Sequence, residues 1–202
     1  MLFSIVRLAF GGLAFLIIFG FIRKNKTRNS RRWIVIALIS TIVLTTITAF
    51  IPIENLFVTF SSPESAYHYN HLGEVKAMVA GQQTDLVVGN DGESDIYVIV
   101  PKKSDRWQLG MGTDLSCTVQ TTSAGINICV YQYKKSDEYY IVVFNADGGA
   151  ADIMDNRDSE FQRSETAIEA LDETFYTYYA YVRNFDDQYS ITVNNRTIKI
   201  CG

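Results

Sequence analysis

Two histidines and one run of acids are the residues of this 202-residue chain whose types and spacing admit chemistry. His68 and His71, in YHYNH, stand three apart, a spacing that places two imidazoles on one helical face where they can share a metal ion. The glutamate of an HExxH arrangement is not between them, so a third ligand has to come from a distant acid. NADGGAADIMDNRDSE (145–160) supplies acids: Asp147, Asp152, Asp155, Asp158 and Glu160 surround a glycine pair, and oxygen ligands of this kind suit calcium. Their spacing misses the calcium-loop pattern of acids at alternate positions with a central glycine and a closing glutamate. A mobile acidic loop and surface or capping histidines are the competing readings. The expectation is no metal and no cofactor, with His68, His71, Asp147, Asp152 and Asp155 as the positions where a metal would have to bind.

Nucleophilic chemistry has no local signature. The chain contains no G-x-S-x-G elbow, no S-x-x-K and no phosphate-binding glycine loop. Its three cysteines, Cys117, Cys129 and Cys201, show no paired C-x-x-C zinc spacing. SCTVQTTSAGINICV reads as two short strands around TTSAG. A hairpin centred near Ser123 sets Cys117 opposite Cys129, a placement that a cross-strand disulfide can use; simple buried thiols are the alternative. Tyr176, Tyr178, Tyr179 and Tyr181 crowd one segment. Alternation sends Tyr179 and Tyr181 to one face and Tyr176 and Tyr178 to the other, as expected of half-buried rings in a sheet or of an interface.

The elements that must position these residues are mainly strands. VKAMVAG, TDLVVG, DIYVIV, INICVYQY, YYIVVF, FYTYYAYV, YSITV and RTIKI have period two or β-branched runs, separated by turn chemistry such as NDG and KKSD. The apolar NLFVTF (55–60) reads as a first strand. In SSPESAYHYNHLG, Ser61 or Ser62 can cap a helix, Pro63 suits its first turn and Gly73 can stop it, predicting a short helix over 63–72. A second is predicted over 164–173, where Ser164 caps and Ala167, Ile168 and Leu171 share a face. If Asn194 and Asn195 form a two-residue turn, Val193 opposes Arg196, Ile191 opposes Ile198 and Tyr189 opposes Ile200. The fold class is α+β with mainly antiparallel sheet, and no βαβ alternation suggests a nucleotide-binding fold.

The N-terminal quarter reads differently. Segments 2–22 and 33–53 are almost free of charge, and each is long enough as a helix to cross the ~30 Å hydrocarbon core. Between them, at 23–32, Arg23, Lys24, Lys26, Arg28, Arg31 and Arg32 form a basic loop with no acid. Read by the positive-inside rule, this is a cytoplasmic topology signal between two membrane helices. The glycine pair Gly11 and Gly12 and the hydroxyls of the second segment would permit close helix packing. This predicts a multi-pass cell-membrane protein with a helical hairpin at 1–53 and an extracytoplasmic domain at 54–202.

All 22 acids lie at or after Glu54, against eleven of the 18 Lys and Arg, so residues 54–202 carry a net charge of −11. Such a surface argues against nucleic acid, which needs a positive partner. FSSPESA (60–66), just after an apolar segment and before a β-rich region, resembles a motif in membrane-anchored or secreted proteins of Gram-positive bacteria whose function is not characterised. The resemblance implies a cell-envelope setting and transfers no catalytic or binding residue. The expected function is a non-catalytic, membrane-tethered binding or interaction module, accessory to another membrane or envelope protein. The alternatives are a metal-dependent envelope hydrolase using the histidines and acids above, or a sensor of a small ligand or cation.

Overall fold

The computed structural model describes residues 2–24, 30–50, 52–92, 94–111, 114–123, 125–145, 149–168 and 173–200; within the two long helices, side chains are described at 9–21, 24, 32 and 34–46. The chain divides into two compact units, Met1–Val58 and Thr59–Gly202. In the first, α1 (Leu2–Lys24) pairs with α2 (Ser30–Phe50), and a 3-10 turn, Ile53–Leu56, follows. Gly11 is buried, and a Cβ there would lie 2.7 Å from Thr45 Cγ2; Gly12 faces open space, so one glycine of the pair serves close packing. Thr41 and Thr46 donate to the carbonyls of Ala37 and Ile42 one turn earlier, both at 2.8 Å.

The expected membrane helices are corrected here. Among the described residues no helix is long and apolar enough to cross a membrane. The two-helix, multi-pass localisation with an extracytoplasmic domain falls with them. The basic loop reads as a topology signal for those spans, and among the described residues none stands beside it. Lys24 and Arg32 are exposed; Lys26 and Arg28 and the side chains of Arg23 and Arg31 lie outside the described residues.

The second unit is a stack of sheets, and its sequence pattern follows from how many faces each sheet has covered. β1 (Glu74–Ala80), β2 (Thr84–Asn90), β3 (Asp95–Lys103) and β4 (Arg106–Trp107) form a first antiparallel sheet in that order. The central sheet has the order β5-β6-β7-β10-β9, from Leu115–Ser123, Ile126–Tyr133, Glu138–Asn145, Glu173–Arg183 and Gln162–Ile168. A third sheet joins β12 (Arg196–Lys199), β11 (Ser190–Val193) and β8 (Ile153–Asp155). Along β7, Tyr140 and Val142 pack against the first sheet, while Ile141 and Val143 pack against Tyr189, Ile191, Val193 and Ile198 beside the third. Both faces are covered, so β7 is apolar at both parities rather than alternating. β2 shows the same pattern: Leu86 and Val88 meet the central sheet, and Val87 meets α3 (Pro63–Asn70). Tyr179 and Tyr181 face the first sheet and Tyr176 and Tyr178 the third, as alternation required.

α3 begins as its sequence prescribes. The Ser62 side chain accepts from the N–H of Ser65 at 3.1 Å, and Pro63 takes the first helical position. The helix ends at Asn70, and His71 is already extended at φ −119°, ψ 141°. The ring of Tyr67 lies where a Cβ at position 89 would sit only 1.9 Å from its hydroxyl, which is why β2 carries Gly89 there. The apolar stretch 55–60 is not a strand: Leu56 belongs to the 3-10 turn, and Phe60 makes only an isolated bridge to Trp107.

The C-terminal hairpin has the predicted register, with Val193 opposite Arg196 and Ile191 opposite Ile198. The N–H of Ile200 donates to Tyr189 O at 3.1 Å. Asn194 and Asn195 take φ of +48° and +66°, the left-handed pair a type I′ turn requires. The helix expected over 164–173 is a correction. Residues 162–168 are strand β9, pairing Ser164 with Thr177 and Thr166 with Phe175. The Ser164 hydroxyl meets the Tyr179 hydroxyl at 3.1 Å instead of capping a helix. The local helix pattern yields to pairing with the free edge of β10, as propensity does under tertiary demand.

Candidate functional site

Where the first and central sheets end on the β2–β3 turn side, they leave a cleft of about 280 Å³. Twisted sheets packed face to face diverge at their corners. The central sheet contributes Phe144 on β7, Phe175 and Thr177 on β10 and Thr166 on β9. Opposite them stand Lys76 on β1, Asn90 on β2, and Ser94 and Asp95 at the start of β3. Phe144 and Phe175 lie side by side, with ring centroids 6.0 Å apart and planes 21° from parallel. Deeper between the sheets, Tyr97 and Tyr131 stack at 5.4 Å. Burial, followed by Cys129 and Cys117, pushes the Tyr131 phenol up to about 12, so these rings are neutral packing groups at ordinary pH.

Lys76 reaches the cleft through a backbone irregularity. Val75 pairs with Gly89 and Ala77 with Val88, which leaves Lys76 as the extra residue of a β-bulge. Without the bulge, alternation would put Lys76 on the opposite face from Ala77. With it, Val75 packs towards α3 while Ala77 packs towards the central sheet, and Lys76 follows Ala77. Bulges commonly re-aim one side chain in this way beside functional sites.

The polar groups form one chain of bonds. Lys76 Nζ donates to Asp95 Oδ1 at 2.7 Å and to Thr166 Oγ1 at 3.2 Å, tying the first sheet to the central one. Asn90 Nδ2 donates to the same Asp95 Oδ1 at 2.9 Å. Asn90 Oδ1 accepts from the N–H of Gly92 at 2.8 Å, which fixes the orientation of the amide. The Lys76 and Asp95 side chains are 20% and 24% exposed, so the pair is held in place yet reachable from the cleft. Its charges cancel, and the remaining described lining residues are neutral.

The residues singled out from the sequence do not assemble into a site. His68 and His71 part company because the helix stops between them: exposed His68 lies 3.8 Å from Glu64, while His71 stacks on the Tyr67 ring at 4.9 Å. Burial lowers the pKa of the His71 imidazole. Asp147 lies outside the described residues. Asp152 is exposed and uses its backbone to hold Asn194. Asp155 is buried, and its Oδ1 accepts from the N–H groups of Arg157 and Ser159 at 3.1 and 2.8 Å. Its Oδ2 accepts from the Tyr189 hydroxyl at 2.8 Å. Burial alone would raise this carboxyl, but the bonds from Ser159, Tyr189 and Arg157 hold it below the usual range. A depression of about 310 Å³ lies over Asp155, Ser190 and Thr192, but this acid is already engaged in holding its own turn. Among the described residues no three His, Cys, Asp or Glu side chains gather as a metal site.

Cys117 and Cys129 are both free thiols. Ser123 pairs with Ile126, so the turn falls later than a centre at Ser123, and the register shifts between Cys117 and Val119. Cys117 therefore faces Tyr131, and Cys129 faces Gln120. Burial and then neighbouring Cys117 push the Cys129 thiol up.

None of the cleft residues was distinguishable in the sequence. Lys76 is the one charged residue inside VKAMVA, and Phe144 and Phe175 are two of 12 phenylalanines; no spacing unites them. No protein-family model matches the chain, and neither a curated protein nor a solved structure matches it.

Proposed function

We propose that this chain is a non-catalytic binding module whose small polar ligand sits in the cleft between the first and central sheets. One observation carries the reading. A β-bulge departs from regular pairing to bring Lys76 into a fixed chain of bonds with Asp95, Asn90 and Thr166, beside the paired rings of Phe144 and Phe175. A few placed polar groups beside apolar walls are the usual make-up of a ligand site, and the volume suits a small molecule. Among the described residues the lining offers one carboxylate, with no histidine and no cysteine. That carboxylate is already bonded to Lys76 and Asn90, which favours binding over turnover.

The test is thermal unfolding of the purified full chain against a panel of sugars, amino acids, nucleosides and polyols. A ligand that binds only the folded state raises the midpoint saturably. Stabilisation by at least one compound, without its conversion and abolished in Phe175→Ala, is the expected result. A panel that leaves the midpoint unmoved, or stabilisation that persists in Phe175→Ala, refutes the reading.

A second reading, an accessory subunit of another protein, is favoured by the first unit. Apolar side chains stand exposed along its helices, Leu16 at 64% and Phe21 at 70% among them, more than a lone soluble surface usually presents. In-cell crosslinking and mass spectrometry of the full chain against a variant lacking 1–58 tests it. A partner captured only by the full chain is expected; identical capture by both overturns it.

A further inference from the structure

We infer that the ligand of this cleft is a neutral pyranose ring, free or as the end of a glycan, an inference that rests on the binding-module reading above. Charge narrows the ligand first. Residues 54–202 carry −11 overall, which disfavours an anion, and in the cleft Lys76 and Asp95 cancel one another at 2.7 Å, which leaves no net negative charge among the described lining residues to select a cation. A zwitterion would have to open that short, partly buried pair, and replacing one ion pair by two others returns little free energy once desolvation is counted.

Hydrogen-bonding capacity narrows it further. The Lys76 ammonium has three donors and uses two, on Asp95 and Thr166. Among the described residues both side-chain bonds to Asp95 land on Oδ1, from Lys76 and Asn90, which leaves Oδ2 as its remaining acceptor. One spare donor and one spare acceptor on adjoining groups match a hydroxyl, which donates and accepts at once. Both can be filled without breaking a bond already present. The hydroxyls of Thr166 and of Ser94, also on the lining, extend the same complement to neighbouring hydroxyls of a polyol.

The paired rings decide between an open polyol and a cyclic sugar. Phe144 and Phe175, nearly parallel at 21°, present an apolar surface rimmed by the polar chain. A pyranose carries hydroxyls around its edge and C–H groups on its face, so it can satisfy both surfaces together. The cleft of about 280 Å³ lies just below the roughly 300–1,000 Å³ typical of small-molecule sites, the scale of one such ring rather than of a dinucleotide.

The experiment is saturation-transfer NMR and calorimetric titration of the full chain with the methyl pyranosides of glucose, galactose, mannose and N-acetylglucosamine. Phenylalanine, choline and adenosine serve as zwitterionic, cationic and nucleoside comparators. Asp95→Asn and Phe175→Leu are measured alongside, with circular dichroism to establish that each is folded; Lys76→Gln substitutes for either variant that is not. The expected result is saturable binding of at least one pyranoside, weakened about tenfold or more in each variant, the loss that goes with one charge-assisted bond or one aromatic contact. Pyranoside binding indifferent to these substitutions overturns the inference, because the sugar then sits elsewhere. Variant-sensitive binding of a comparator with no pyranoside binding overturns the sugar assignment and retains the cleft as a ligand site. Absence of binding by every probe overturns both.

Discussion

Glu138 is the sharpest single test of how the two larger sheets are joined. Its side chain is 1% exposed at the start of β7. Oε1 accepts from the N–H of Gln82 at 2.9 Å, the N–H of Gln83 at 2.7 Å and the Tyr181 hydroxyl at 3.2 Å. Oε2 accepts from the Thr84 hydroxyl at 2.7 Å. Gln82 and Gln83 form the turn between β1 and β2, so one carboxylate pins the edge of the first sheet onto the central one. Glu138→Ala strands these donors. Thr84 can still pair with the Tyr140 hydroxyl, 2.7 Å away, and partly exposed Tyr181 can turn to water, which leaves the two backbone N–H groups as the main loss. At about 1–3 kcal/mol per stranded donor, and by comparison with breaking other buried charged networks, the cost is about 3–5 kcal/mol. For a chain of this size that lowers Tm by roughly 6–20 °C. Glu138→Gln keeps an acceptor towards the turn and costs about 1–2 kcal/mol. The assay is thermal unfolding by circular dichroism at pH 7. A Glu138→Ala midpoint within about 2 °C of the parent, or a Glu138→Gln loss as large as that of Glu138→Ala, refutes the assignment of Glu138 as the latch.

Asp155 gives a pH-dependent prediction. Its folded pKa lies below the unfolded value of about 3.9, so its contribution is present above that pH and is lost as pH falls through the folded pKa. Asp155→Asn is expected to lower stability by about 1–2 kcal/mol at pH 7, with the gap to the parent closing as denaturant titrations are taken from pH 5 to pH 3. Two buried tyrosines respond in opposite senses to loss of their hydroxyls. The Tyr67 hydroxyl has no hydrogen-bond partner among the described residues, so Tyr67→Phe is neutral or stabilising. The Tyr140 hydroxyl donates to Thr84 O at 2.8 Å, so Tyr140→Phe costs about 1 kcal/mol; urea midpoints report both. In the C-terminal turn, Asn195→Gly is tolerated because glycine accepts positive φ freely. Asn194→Gly loses the bond from the N–H of Asp152 to Asn194 Oδ1 at 2.9 Å and costs about 1 kcal/mol, a difference that thermal unfolding of the two variants shows.

The sequence by itself determined what depends on neighbours in the chain. Ser62 and Pro63 are chemically suited to start a helix and they start one. Two asparagines between alternating strands set the 191–198 register, because both tolerate the positive φ that turn imposes. The β-rich character and the two-faced tyrosines of β10 follow from period-two patterning and β-branched content. Tertiary structure decided whatever depends on what lies opposite. Residues 162–168 carry a helical pattern and form a strand, because the edge of β10 needs a partner and a single stretch of chain does not record that need. A hydropathy window over 2–22 or 33–53 reads only apolar length, and no span long and apolar enough to cross a membrane stands among the described residues. The cleft was the least legible feature. Lys76, Asp95, Thr166 and Phe175 come from four strands, and Thr166 sits in a segment that reads as helix. Lys76 turns inward only through a bulge, a one-residue slip in pairing that follows from how two strands meet rather than from the residues of either.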